Sequence, residues 1–357
     1  MKLGDKIIGQ DFLTICEAGS TTRGDKNIAM KLADAAKEAG ASAIKFILSN
    51  PDTLSTDPNL MYGDKKLYDI VKSYQIPQKN WEQITAYCRS IELPYFFSVG
   101  TRDYLPLAVE LGSEHLKLSA WDARNFPLIS DFLETGLPIQ IDIGCLIGGE
   151  VHNMLEFMYA NHNPDILLVY ESHSPNANEL NLLSVKYLAD LQHKYTGVHR
   201  VGYSANWRDP APDQLAIGLG ATVIEKRIKI DDEVNHHTDM ALNPQELRNY
   251  IQLIKSGERP KITFTQEEVM LGQYGLWPSL ADISGKNMYM TSMVFAKDIA
   301  KGEVVTKEHI TAKRPGFWLS PYYDYLILGR EAFKDFKADE PVSYELVVEW
   351  HEHENNS

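Results

Sequence analysis

Charged side chains close several of the apolar runs in this chain. Glu17 follows LTIC, Lys45 stands in AIKF, Lys117 in HLKLS, and Glu225, Lys226 and Arg227 follow ATVI. A lysine or carboxylate at the end of a buried run is costly to desolvate without a partner. These residues must therefore pair with one another or face a ligand, where cations hold anions and carboxylates move protons. For Glu225, an ion pair with the adjacent Lys226 or Arg227 is the structural alternative. Histidines are the second resource, since imidazole carries protons near neutral pH and binds metals. His173 lies in YESHS, and His236 and His237 lie in NHHTDMALNP. Neighbouring residues alternate direction in an extended chain, which predicts one of these two rings inward and one in solvent. A metal held by His173, His236 or His237 is the less favoured alternative.

The elements that must carry these residues follow from punctuation. Short apolar runs alternate with longer amphipathic stretches, the pattern of βα units around a parallel sheet. Eight strands are expected: residues 12–18, 42–48, 95–99, 115–119, 138–143, 166–170, 200–204 and 222–228. Between them lie helical patterns such as NIAMKLADAAKEAG, with Ile28, Leu32, Ala35 and Ala36 on one face and Gly40 as C-cap. Eight such units in about 250 residues predict a (β/α)8 TIM barrel whose active site lies at the carboxyl ends of the strands. A doubly wound sheet fits less well, because no Gly-rich dinucleotide fingerprint follows the first strand. The expected domains are a barrel over 1–257, a linker over 258–287 and a small domain of short β runs over 288–357, ending in a frayed tail, HEHENNS.

Composition limits the function classes. A chain of 357 residues with 44% hydrophobic and 24% charged residues can bury a large core and shows no sign of disorder. Its net charge of −14 disfavours nucleic acid as a partner. Cys16, Cys88 and Cys145 are odd in number and lack metal spacing, so they are expected as core residues in a reducing compartment, the cytoplasm. The opening MKLGDKIIGQ is too polar for a signal peptide, and no apolar run of about 20 residues suggests a membrane span.

The segments KEAGASAIKF, VGYSANW and ATVIEKRIKID together resemble the sialic acid synthase family, and AKDIAKGE with KRPG resembles the antifreeze-like (SAF) domain that ends those enzymes. The resemblance covers nearly the whole chain. It implies a transferase that condenses phosphoenolpyruvate with an amino sugar or other aldose, giving a 3-deoxy-2-ulosonic acid and phosphate. By matching position, it implies that Lys45 and Lys117 bind the anionic groups of phosphoenolpyruvate. Glu17 and Asp122 then contact sugar, Ser204 and Glu225 match the family's serine and glutamate, and either His237 or Asp239 takes the place of a sugar-binding aspartate. It further implies a domain-swapped homodimer in which Arg314 of one chain completes the mouth of the other, with Phe317, Trp318, Tyr322 and Tyr323 either lining a lid or filling the small domain's core.

The departures fall in the same pocket. The family holds a divalent metal with two histidines, in GYSDH and IEKH, where this chain has Asn206 and Arg227. Guanidinium cannot ligate a metal, so no metal cofactor is expected there; Arg227 and Asn206 are expected to polarise the aldehyde oxygen instead. Ile47, Val99 and Ala120 replace hydrogen-bonding residues, Ser172 and Ser174 stand for an asparagine and a tyrosine, and Asp142 replaces a serine that helps bind phosphoenolpyruvate. A carboxylate there repels a phosphate unless a cation intervenes. The second reading is accordingly a paralogue without the synthase reaction, serving as a ligand-binding or assembly subunit in surface-polysaccharide biosynthesis; a changed reaction on a related acid is a third.

Overall fold

The computed structural model describes residues 1–174, 176–233 and 236–355, so the last two residues of the tail lie outside the described residues. The eight expected strands form: β1 (Leu13–Glu17), β2 (Ala43–Leu48), β3 (Tyr95–Val99), β4 (Leu116–Leu118), β5 (Ile139–Asp142), β6 (Ile166–Glu171), β7 (Gly202–Ala205) and β8 (Val223–Arg227). They close a barrel in sequence order, and β8 pairs in parallel with β1, Val223 opposite Leu13 and Arg227 opposite Glu17. Helix α1 (Lys26–Ala39) shows how the crossovers are punctuated. Asp25 caps its start by accepting from the Asn27 and Ile28 amides, and Gly40 ends it at φ 79°, a left-handed conformation that favours glycine.

Alternation along the strands sorts the chemistry. Leu13, Ile15, Ala43, Phe96, Leu167, Val169 and Val223 fill the lower interior as one apolar cluster. Two residues further along the same strands stand Glu17, Lys45, Ser98, Glu171 and Glu225. The outward residues, among them Cys16, Ile44 and Phe46, pack with Leu32, Ala36 and Trp81 in the main core. All three cysteines are buried and unpaired with one another.

After the barrel come helices α2 (Phe264–Leu271) and α3 (Leu280–Tyr289), then a small domain in which β9 (Ser292–Phe295) pairs antiparallel with β10 (Ile310–Lys313). Its core holds Met293, Phe295, Ile327, Phe336 and Trp350. Trp350 belongs to α4 (Tyr344–Asn355), so the described part of the tail continues a helix and is not frayed; the buried indole anchors it. The small domain docks on its own barrel. The Arg314 amide donates to Leu54 O at 3.1 Å, the Thr56 amide donates to Arg314 O at 2.9 Å, and Tyr322 meets Phe126 with ring centroids 5.0 Å apart. Among the described residues, no helix is long and apolar enough to cross a membrane.

Candidate active site

The carboxyl ends of the strands open into a cavity of about 210 Å³, where the apolar interior gives way to charge. At its floor, two lysines meet one carboxylate. Lys45 Nζ lies 2.5 Å and Lys117 Nζ 2.6 Å from the same oxygen, Glu225 Oε1, while Gln140 donates to Glu225 Oε2 at 3.1 Å. Lys45 also reaches Glu17 at 3.0 Å, and Lys117 reaches Asp142 at 2.7 Å. Arg227 grips Glu17 through Nε at 3.0 Å and Nη2 at 3.2 Å, and its Nη1 meets the Met240 sulfur at 3.0 Å.

Burial and charge set the protonation states in opposition. Burial works against the Glu17 carboxylate, but Arg227, Lys45 and Lys117 outweigh it and hold this group well below its ordinary range. Burial likewise disfavours the Lys117 ammonium, yet Asp142 and Glu225 raise its pKa well above the usual lysine value. Asp142 goes the other way. Burial pushes its carboxyl up, Lys117 opposes this, and Glu171 and Glu225 add to the rise.

The rim is aromatic and polar. Trp121 stacks against His173 at 4.4 Å, Tyr289 lies edge-on to Trp121 at 5.2 Å, and Tyr62 meets Tyr289 at 4.5 Å. His173 Nδ1 is 2.8 Å from Asp282 Oδ1 on α3. On the other side, Arg314 from the small domain donates to Asp122 at 2.9 Å, and Ser119 supports the same carboxylate at 3.0 Å. Gly144 lets the chain after β5 lie against β6: a Cβ there would fall 2.1 Å from the Glu171 carbonyl oxygen.

Of the catalytic and substrate-binding candidates named from sequence, Glu17, Lys45, Lys117, Asp122, Asn206, Arg227, His237 and Arg314 line this cavity. Three do not. Glu225 lies beneath the two lysines as their shared counter-charge; it does not pair with Lys226, which points outward to Asp213 at 2.8 Å because neighbours on a strand face opposite sides. Ser204 is buried in register between Glu171 and Glu225, off the lining. Asp239 is exposed on the short turn that follows His237, whose backbone is left-handed at φ 67°, while Thr238 is buried and Met240 lines the cavity. That same turn defeats simple alternation, so His236 and His237 both line the cavity with ring centroids 3.5 Å apart.

Asn206 is not poised to donate to an aldehyde oxygen. Both hydrogens of its amide are engaged, with Glu171 Oε1 and with Ser172 O, each at 3.1 Å. Val99 and Ala120 pack in the outer core and take nothing from the pocket, whereas Ile47 and Asp142 do line it. Of the small domain's aromatic residues, Phe317 is exposed, Tyr322 packs against Phe126 of the barrel and Tyr323 packs on the small domain's core. The aromatic rim comes from Tyr62, Trp121 and Tyr289, and these, with Asp282, were missed because nothing in their local sequence marks them; Glu171 was missed although it closes the apolar run ILLVY.

Within the single chain, Arg314 reaches Asp122 at the mouth of its own barrel, where the resemblance implies the mouth of a partner's. The helices between the domains turn the chain back over that mouth: α3 supplies Asp282 to His173, and Lys286 pairs with Glu150. The residues at the place of the family's metal do not fit one, since Arg227 fills it with a guanidinium bound to Glu17. Cys145, His173 and Asp282 bring three donor atoms within 4.8 Å of one another. The same atoms contact one another directly, His173 Nδ1 lying 2.8 Å from Asp282 Oδ1 and 3.8 Å from Cys145 Sγ.

Comparison with known proteins agrees with this architecture. Residues 32–261 match the model of the NeuB family, and residues 291–348 match the SAF domain. The N,N'-diacetyllegionaminic acid synthase of Legionella pneumophila is 24% identical over 348 residues, covering 93% of this chain and 94% of the relative. A pseudaminic acid synthase of Campylobacter jejuni is 23% identical over 347 residues, covering 94% and 97%. The crystal structure of the spore coat polysaccharide biosynthesis protein SpsE of Bacillus subtilis shares the fold, with a TM-score of 0.81 at 23% identity over 97% of this chain and 98% of that one. A barrel that matches the family model over most of its length, followed by a SAF domain that brings Arg314 to its mouth, makes this chain a member of the NeuB family.

Proposed function

We propose that the protein is a sugar-acid synthase that condenses phosphoenolpyruvate with an aldose, an amino sugar in the first instance, to give a 3-deoxy-2-ulosonic acid and phosphate. The convergence of Lys45 and Lys117 on one oxygen of Glu225 carries this reading. Two ammonium groups held side by side at the cavity floor suit an acid that bears both a phosphate and a carboxylate. The Asp122 and Arg314 pair near the rim then suits sugar hydroxyls. Arg227 adds a permanent positive charge at the mouth and takes up the family's metal place, so the reaction proceeds without a divalent ion.

The saturation of the lysines by carboxylates favours a second reading, a binding or assembly subunit in surface-polysaccharide biosynthesis. One assay separates the two. Purified protein is incubated with phosphoenolpyruvate and a panel of aldoses that includes acetamido sugars, and phosphate release and product mass are followed. The synthase reading expects a product of the summed carbon skeleton, with no turnover by Lys117→Ala. Silence across the panel supports the subunit.

A further inference from the structure

Bond formation at an aldehyde carbon leaves negative charge on the carbonyl oxygen, which must meet a cation or a proton. Asn206 has spent its amide hydrogens on Glu171 and Ser172, while Arg227 gives three of its five N–H groups to Glu17 and Met240 and, always protonated, supplies charge but no proton. His173 differs. Its Nδ1 is tied to Asp282 Oδ1 at 2.8 Å, and its backbone amide donates to the same oxygen at 3.2 Å. A carboxylate only accepts, so Nδ1 carries the hydrogen and Nε2 is left toward the cavity. The nearest ion-pair contact of Nε2 is Glu171 Oε2 at 3.7 Å, beyond hydrogen-bond length. Trp121 covers the ring face at 4.4 Å. Asp282 is itself fixed, since its Oδ2 accepts from the Ser279 hydroxyl at 2.6 Å and amide at 3.0 Å.

We propose that His173 is the catalytic proton donor to the sugar's carbonyl oxygen, and that Asp282 on α3 is the positioning residue that aims it. The assignment rests on the synthase reading above. The electron pair of the phosphoenolpyruvate double bond forms the new carbon–carbon bond, and the carbonyl π pair moves to oxygen, which takes the proton from Nε2 and becomes a hydroxyl. Water adds to the cationic carbon left behind, and the proton it sheds returns to the Glu171 and His173 pair. The hydroxyl so formed then becomes the ketone as the carbon–oxygen bond to phosphate breaks, its proton leaving with phosphate. Burial opposes the imidazolium, but Glu171, Cys145 and Asp282 raise its pKa well above the ordinary histidine value. The titratable groups around it are Glu171 on its own strand, Cys145 after β5, Asp282 on α3, and Tyr62 and His237 across the mouth.

The test uses the full chain with phosphoenolpyruvate and the aldose that gives product. His173→Gln should lower kcat at least about 100-fold while its calorimetric affinity for phosphoenolpyruvate stays within about threefold of the parent's. Asp282→Asn keeps an oxygen to cap α3 but removes the charge. It should move the alkaline limb of the kcat/KM profile to lower pH, because the protonated imidazole is the active form. Undiminished turnover by His173→Gln, or an unmoved profile in Asp282→Asn, overturns the assignment and leaves the synthase reading standing. So does zinc bound one to one, lost in Cys145→Ser together with turnover, since the cluster would then be a ligand set. No product from the unaltered chain across the panel overturns the synthase reading and this assignment with it.

Discussion

Asp142 changes most what the mouth can hold. Its carboxylate sits 2.7 Å from the Lys117 ammonium, where an anionic ligand would otherwise compete for the charge. Asp142→Asn should therefore tighten phosphoenolpyruvate binding by about tenfold, some 1.4 kcal/mol, as read by calorimetry. The sign of the pH dependence follows from its raised pKa. The protonated carboxyl tolerates a bound anion better than the carboxylate does, so binding to the parent chain should weaken as pH rises, and the asparagine variant should flatten that slope. Arg227→Ala should lower turnover at least about 100-fold, the scale of losing one transition-state donor. Arg227, Lys45, Lys117 and Glu17 were legible in sequence because each is a charge at the end of an apolar run. Glu225 was legible as charged, but its partners were not: they come from β2 and β4, far along the chain, and only barrel closure brings them to one oxygen.

At the scale of elements, the strands could be read because β-type apolar runs alternate with helical periodicity, and glycines such as Gly40 and Gly197 end some of the helices. What could not be read is where irregular segments fold back. The turn at His237 puts two histidines on one cavity, and α3 carries Asp282 and Tyr289 into a rim built mostly from barrel loops. Neither has a local signal, since both depend on the barrel being present to pack against. Strand β4 also carries a cost at its base. His115 is fully buried against Phe96, with ring centroids 3.7 Å apart, and burial pulls its pKa down to about 3. The unfolded chain takes up a proton that the folded chain refuses, so stability should fall as pH drops below about 6.5 toward 3. Between about pH 7 and about pH 4.5 this group alone should remove roughly 2 to 3 kcal/mol. Urea midpoints for His115→Leu should lose correspondingly less over that range; equal losses in both proteins would remove His115 as the cause.

For the whole molecule, the arrangement of barrel, helices and small domain closes one mouth with one chain. Arg314 and Lys117 belong to the same site in the same chain, so mixing Arg314→Ala with Lys117→Ala chains should recover no activity, whether or not the chains pair. Recovery above either variant alone would mean that the small domains are exchanged. We propose that the charges of this chain, Arg227 among them, take up the task that the resemblance gives to two histidines and a metal. This is tested most directly by turnover of phosphoenolpyruvate and an accepted aldose after exhaustive chelation, with and without added manganese. The same rate is expected in both; a rate abolished by chelation and restored by manganese would show that a metal does this work.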